Sequence, residues 1–106
     1  MTAYIVGKLT VPNWNWYREY RETTEPLVEI HGGRYLIKGG TSEKLEGDAA
    51  LPHAFVLIEF PDLQSAKNWY HCAEYSEMIE LRQMSGVDTE LFLVDGFGPR
   101  ARRRCR

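Results

Sequence analysis

Cysteine is scarce in this sequence, long apolar runs are missing, and its positive charge is concentrated at one end. Two cysteines, Cys72 and Cys105, are too few for a disulfide framework. That excludes a small disulfide-stapled scaffold and makes a reducing compartment the expectation. No stretch approaches the roughly 20 apolar residues of a membrane span. The segment Met1–Lys8 lacks the basic start and long apolar segment of a signal peptide and reads as a strand. The expected location is therefore the cytoplasm, with no membrane partner.

The net charge is −2, but five of the 13 basic residues are Arg100, Arg102, Arg103, Arg104 and Arg106. Without them, 8 basic residues face 15 acidic ones. Such a body repels phosphate, so nucleic acid is not an expected partner. The domain is expected to run from residue 1 to residue 98, with a solvated basic tail over 99–106. The histidines, His31, His53 and His71, show no metal-ligand spacing, and no Cys-x-x-Cys is present, so no metal site is expected. No phosphate loop, dinucleotide fingerprint or Gly-x-Ser-x-Gly elbow is found either, and no cofactor is expected.

What remains is a globular composition, 43% apolar and 26% charged over 106 residues, enough for one domain with a modest core. Residues 3–10 read as a strand that Pro12 ends. Asn13 is a plausible cap for a helix from Trp14. Pro26 predicts a break near residues 23–25, with a short second helix through Ile30. Gly32-Gly33 turns the chain into a strand over Arg34–Lys38. After a polar loop, Ala54–Phe60 is the clearest strand. Pro61 stops it and Asp62 caps a helix, which breaks around residues 72–74 and resumes to Met84. Glu90–Asp95 is the last strand. The order β-α-β-β-α-β predicts an α+β, ferredoxin-like fold, a four-stranded antiparallel sheet with helices on one face.

Two strands are apolar on both sides. Phe55 and Leu57 oppose Val56, Ile58 and Phe60; Leu91 and Leu93 oppose Phe92 and Val94. Helices cover one side only, so a partner's sheet is expected over the other, making a homodimeric α/β barrel. Coverage by loops or the tail is the plainer alternative.

The chain resembles the family called domain of unknown function 1330, of the dimeric α/β-barrel superfamily. The resemblance rests on His31-Gly32-Gly33-Arg34-Tyr35-Leu36 with Gly39-Gly40, on Val56-Leu57-Ile58-Glu59-Phe60-Pro61, and on Ala66, Trp69-Tyr70, Glu74-Tyr75 and Arg82. Lys38 stands where the family usually has arginine, and Cys72-Ala73 where it has serine-proline. Superfamily relatives include cofactor-free monooxygenases, lactone isomerases and dehalogenating enzymes, beside proteins without known chemistry. The resemblance implies a small-molecule site and no particular reaction.

The candidate site residues follow from strand and helix parity. Regular alternation puts Arg34 and Lys38 on one face, flanking Leu36. Glu59 continues the row of Phe55 and Leu57. A charge at the end of an apolar row must pair, reach solvent or shift its pKa. Glu59 is thus the candidate acid/base, with Arg34 as anion holder; an ordinary ion pair between them is the competing reading. Tyr75, Met78, Ile79 and Arg82 share one helix face. Arg82 there either binds an anion, pairs with Glu59 or complements the helix dipole. Trp69, Tyr70 and Tyr75 are candidate walls for a flat ligand, against simple core packing. His31, before the glycine turn, is a further candidate beside the site. His71 and Cys72 are adjacent and so do not face each other on a helix, which weakens a nucleophile pair. Two functions remain open. One is a small-molecule site for an anionic or aromatic compound, with cofactor-free proton-transfer chemistry. The other is a non-catalytic interaction or stress-associated dimer.

Overall fold

The computed structural model describes residues 2–97. Four strands, β1 (Ala3–Thr10), β2 (Arg34–Lys38), β3 (Ala54–Phe60) and β4 (Asp88–Asp95), form one sheet in the order β2-β3-β1-β4. Each neighbouring pair is antiparallel. Three helices, α1 (Tyr17–Ile30), α2 (Leu63–His71) and α3 (Ala73–Met84), complete the α+β, ferredoxin-like arrangement. The expected tail lies outside the described residues.

Several local expectations need correction, among them the start of the last strand, which lies at Asp88 and not at Glu90. The first helix starts at Tyr17 rather than Trp14, because Asn13 closes a turn instead of capping a helix. Its Oδ1 accepts from the Asn15 amide at 3.0 Å, and its carbonyl accepts from Trp16 Nε1 at 2.7 Å. Nor does Pro26 break α1, which runs unbroken from Tyr17 to Ile30. Proline removes one helical hydrogen bond. Thr24, Leu27 and Val28, all buried on the inner side, hold both halves against the core. Tertiary packing of this kind routinely overrides propensity.

The other boundaries follow local chemistry. Gly32, at φ 83°, ends α1. Asp62 Oδ1 accepts from the Ser65 amide at 2.7 Å and caps α2. Extended backbone at Cys72 separates α2 from α3, and Gly86 at φ 78° releases the chain into β4. Gly33 permits a close approach: a Cβ there would lie 2.6 Å from the Phe60 ring.

Register decides what each face carries. Tyr4, Val6 and Lys8 of β1 pair with Glu59, Leu57 and Phe55 of β3, and with Val94, Phe92 and Glu90 of β4. Among the described residues no helix lies over this outer face, and Ile37, Phe92 and Val94 on it are exposed. The opposite face carries Ala3, Ile5 and Leu9 with Ala54, Ile58 and Phe60, and packs against the helices. There Phe60, Trp69 and Tyr75 are almost wholly buried. Each aromatic of this size removes about 200 Å² from water, which favours folding by about 5 kcal/mol before entropy is counted.

The β2–β3 pairing contains a bulge. Arg34 and Tyr35 pair with Glu59 and Ile58, but Ile37 and Lys38 pair with Leu57 and Val56. Leu36 is the extra residue, and it reverses the parity beyond it. The expectation that Arg34 and Lys38 share a face is therefore wrong: Arg34 lies on the outer face and Lys38 on the helix side.

Candidate functional site

Between the helix side of the sheet and α1 and α3 lies a cavity of about 370 Å³. That is the size of a site for a small organic molecule. Its floor is apolar, from Leu9, Val56, Ile58 and Leu91 of three strands. Its walls are aromatic. Tyr17 and Tyr20 come from successive inward positions of α1, with Trp14 and Trp16 in the turn before it. Tyr35 enters from β2, Trp69 from α2 and Tyr75 from α3.

These rings form a continuous series. The exposed Trp14 stacks on the buried Trp16 at 6.1 Å, and Trp16 meets Tyr20 edge-on at 5.2 Å. Tyr20 meets Tyr75 at 6.1 Å, and Tyr75 lies 4.3 Å from Trp69. Ring faces at such spacings supply apolar contact and a preference for flat ligands.

The polar groups are few and concentrated. Arg82 is only 4% exposed. Its Nη1 donates to the Tyr75 hydroxyl at 3.3 Å, and the Tyr75 and Tyr20 hydroxyls are 2.6 Å apart. The guanidinium also lies 5.9 Å from the Tyr20 ring centre, a cation–π contact. No carboxylate pairs with Arg82 among the described residues. Its Nε lacks a hydrogen-bond partner, as do Trp69 Nε1 and Thr89 Oγ1. All three residues line the cavity. Unpartnered buried donors are costly, and native proteins keep few of them.

The phenols face the cavity in neutral form. Burial pushes the Tyr75 hydroxyl well above the ordinary tyrosine range, with the neighbouring Tyr20 adding to the shift. Burial likewise raises Tyr20 and Tyr35, and Arg82 opposes the shift at Tyr20 without cancelling it. Neutral phenols donate as well as accept. With Arg82 they make a site that favours an anion and can hydrogen-bond to it.

The remaining predicted residues are divided between the two faces. Trp69, Tyr75 and Arg82 come together in the cavity, and Lys38 lines it from the end of β2. Tyr70 does not line this cavity, but its ring is 5.9 Å from Tyr75, and it lines one neighbouring groove with Lys67 and His71 and another with Arg82 and Thr89. Glu59 and Arg34 are on the outer face. There Arg34 Nε donates to Glu59 Oε1 at 2.8 Å, and the Tyr4 hydroxyl donates to Oε2 at 3.3 Å. The sheet thus separates Glu59 from Arg82, and the two do not pair. His31 caps the end of α1, with Nδ1 2.8 Å from the Leu27 carbonyl.

Among the lining residues that were not sequence candidates are Trp14, Trp16, Tyr17, Tyr20, Tyr35 and Thr89. The i, i+3 spacing of Tyr17 and Tyr20 was a usable signal, once the helix is known to start at Tyr17. His53 is fixed by the end of β1, its Nδ1 accepting from the Val11 amide at 2.8 Å. Among the described residues, no cluster of His, Cys, Asp or Glu is placed to hold a metal ion.

Fold and cavity together define a small ferredoxin-like α+β protein with a ligand-sized aromatic pocket on the helix side of its sheet. The chain belongs to the family described as a domain of unknown function, DUF1330, whose model matches residues 2–97. Comparison with curated proteins gives no match. Among solved structures, it is similar to a protein of unknown function from Rhodopseudomonas palustris, at 18% identity and TM-score 0.71, over 92% of this chain and 84% of that one. It is also similar to a putative antibiotic biosynthesis monooxygenase from Nitrosomonas europaea, at 16% identity and TM-score 0.60, over 92% of this chain and 100% of that one. A conserved protein from Methanosarcina mazei Go1 matches at 17% identity and TM-score 0.51, over 90% and 93% of the two chains. At these identities the likeness is one of fold.

Proposed function

We propose that the helix-side cavity binds a small organic carboxylate with a flat, apolar body. The observation that carries this reading is Arg82, a buried guanidinium with an unpartnered Nε and, among the described residues, no ion pair to a carboxylate. A buried charge without its counter-charge is costly. A ligand carboxylate would supply that counter-charge, while the body of the ligand lies along the aromatic walls. Tyr75 and Tyr20, held neutral and bonded to each other, leave one hydroxyl hydrogen free to donate a hydrogen bond to the bound molecule.

A second copy of the chain over the outer face is part of the same proposal. The row Val6, Leu57, Phe92 and Val94 is apolar and lacks a helix, and ion pairs stand at its margins, Arg34 with Glu59 and Lys8 with Glu90. An apolar centre with a polar rim is the make-up of an interface. The free Cys72 suits a reducing, cytoplasmic setting.

The non-catalytic reading gains from one observation: Glu59, the acid/base candidate, is committed to Arg34 and Tyr4. The experiment is a melting-temperature screen of purified protein against small aromatic and aliphatic carboxylates. A ligand at about 100 times its Kd adds about 2.7 kcal/mol of stability. Aromatic acids are expected to raise the melting temperature where aliphatic acids of equal charge do not. A screen in which no carboxylate acts removes the proposal.

A further inference from the structure

The bulge at Leu36 has a chemical consequence at the cavity. In a regular β2, Lys38 would project from the outer face beside Arg34. The extra residue turns it to the helix side, where it lines the cavity and its ammonium lies 5.0 Å from the Tyr35 ring centre. Bulges commonly re-aim a side chain in this way. The same ammonium is bonded to Glu25 of α1. Glu25 does not line the cavity; it lies in an outer groove with Arg21, Glu22 and Glu29, which Lys38 also lines. Lys38 therefore stands at the boundary between the two, held by a carboxylate from outside. Its side chain is 38% exposed and that of Glu25 35%, so the pair is open to exchange. Partial desolvation, and then the charge of Arg21, lower the Lys38 pKa. Both indicate a cation that a second anionic partner would stabilise.

Building on the proposed carboxylate site, we infer that the ligand carries two acidic groups, one for Arg82 in the interior and one that displaces Glu25 from Lys38 at the rim. The two cations come from different elements, α3 and β2, and the cavity wall between them is aromatic. The ligand class that fits is an aromatic dicarboxylate, or a monocarboxylate with a second acidic oxygen. Glu25 then works as a resident competitor that keeps Lys38 at the rim until such a ligand arrives.

Calorimetric titration with benzoate and with the three benzenedicarboxylate isomers tests this, in wild type and in Glu25→Gln, Lys38→Met and Arg82→Met variants. At least one dicarboxylate is expected to bind wild type about tenfold more tightly than benzoate, as a second charge-assisted contact should provide. Glu25→Gln should widen that advantage, and Lys38→Met should erase it. A dicarboxylate advantage that survives Lys38→Met overturns the inference. So does Arg82-dependent benzoate binding with no dicarboxylate advantage, which leaves the carboxylate site standing. Failure of benzoate and of all three dicarboxylates to bind overturns both.

Discussion

Glu59 and Arg82 lie on opposite sides of the sheet. The carboxylate is held by Arg34 and Tyr4 on the outer face, and the guanidinium is buried with Tyr75 under the helices. Glu59→Gln therefore weakens only a partly exposed ion pair, in which Arg34 is 71% exposed. Its cost to folding of the single chain is expected to stay within about 1 kcal/mol. Carboxylate binding should be unchanged. Denaturant melts and ligand titrations of the variant check both. A variant that folds normally and has lost the ligand would return Glu59 to the site.

The outer face predicts an assembly. Sedimentation equilibrium of the wild type should give a dimer, and Phe92→Lys, which puts a charge in the centre of the apolar row, should give a folded monomer. A wild-type monomer at high protein concentration would show that the face needs no second copy.

Pro26 lies inside α1, where proline costs about 3 kcal/mol relative to alanine. It is exposed, and α1 is helical on both sides of it. Pro26→Ala is expected to stabilise the protein by about 1–3 kcal/mol in chemical denaturation, part of the gain being lost to a freer unfolded chain. A destabilised variant would mean that proline shapes α1 in a way its packing does not show.

The order of elements along the chain, three of the four strands' limits to the residue and the division between α2 and α3 were legible in the sequence. They rest on local signals: alternation, Gly32-Gly33, Pro61 and the Asp62 cap. The bulge was not legible, because nothing in Arg-Tyr-Leu-Ile-Lys distinguishes a regular strand from one with an extra residue; pairing with β3 decides it. That single register shift moved Lys38 into the cavity and left Arg34 outside. The continuity of α1 was hidden for a similar reason. Proline is a strong local signal, and the burial of Thr24, Leu27 and Val28 that outweighs it belongs to the folded molecule. Tyr75 and Arg82 were found because residues seven apart on one helix stay neighbours whatever the tertiary fold, and Trp69 as an aromatic beside the helix break.

The buried tyrosines set an alkaline limit to stability. Tyr20, Tyr35 and Tyr75 have hydroxyl pKa values raised in the folded state, chiefly by burial. Below the unfolded value near 10, both states are protonated and these groups add no pH dependence. Above it, the unfolded chain loses protons that the folded one keeps, so stability falls by up to about 1.4 kcal/mol per pH unit for each such group. Melting temperature against pH is expected to be flat up to about pH 9, as far as tyrosine sets it, and to drop steeply beyond about pH 10. Tyr75→Phe removes one of these groups and should shallow that drop. It also deletes the hydroxyl shared with Tyr20 and Arg82, at a cost of about 1–2 kcal/mol near neutral pH.

The most direct test is Arg82→Met, melted alone and then with the best carboxylate from the screen. If Arg82 is there for a ligand, removing an unpaired buried charge in favour of an apolar side chain of similar length leaves the ligand-free protein as stable as wild type or more so. The carboxylate should then no longer raise its melting temperature. A ligand-free variant destabilised by about 3 kcal/mol or more, or one that the carboxylate stabilises as much as wild type, would show that Arg82 serves the fold and not a bound molecule.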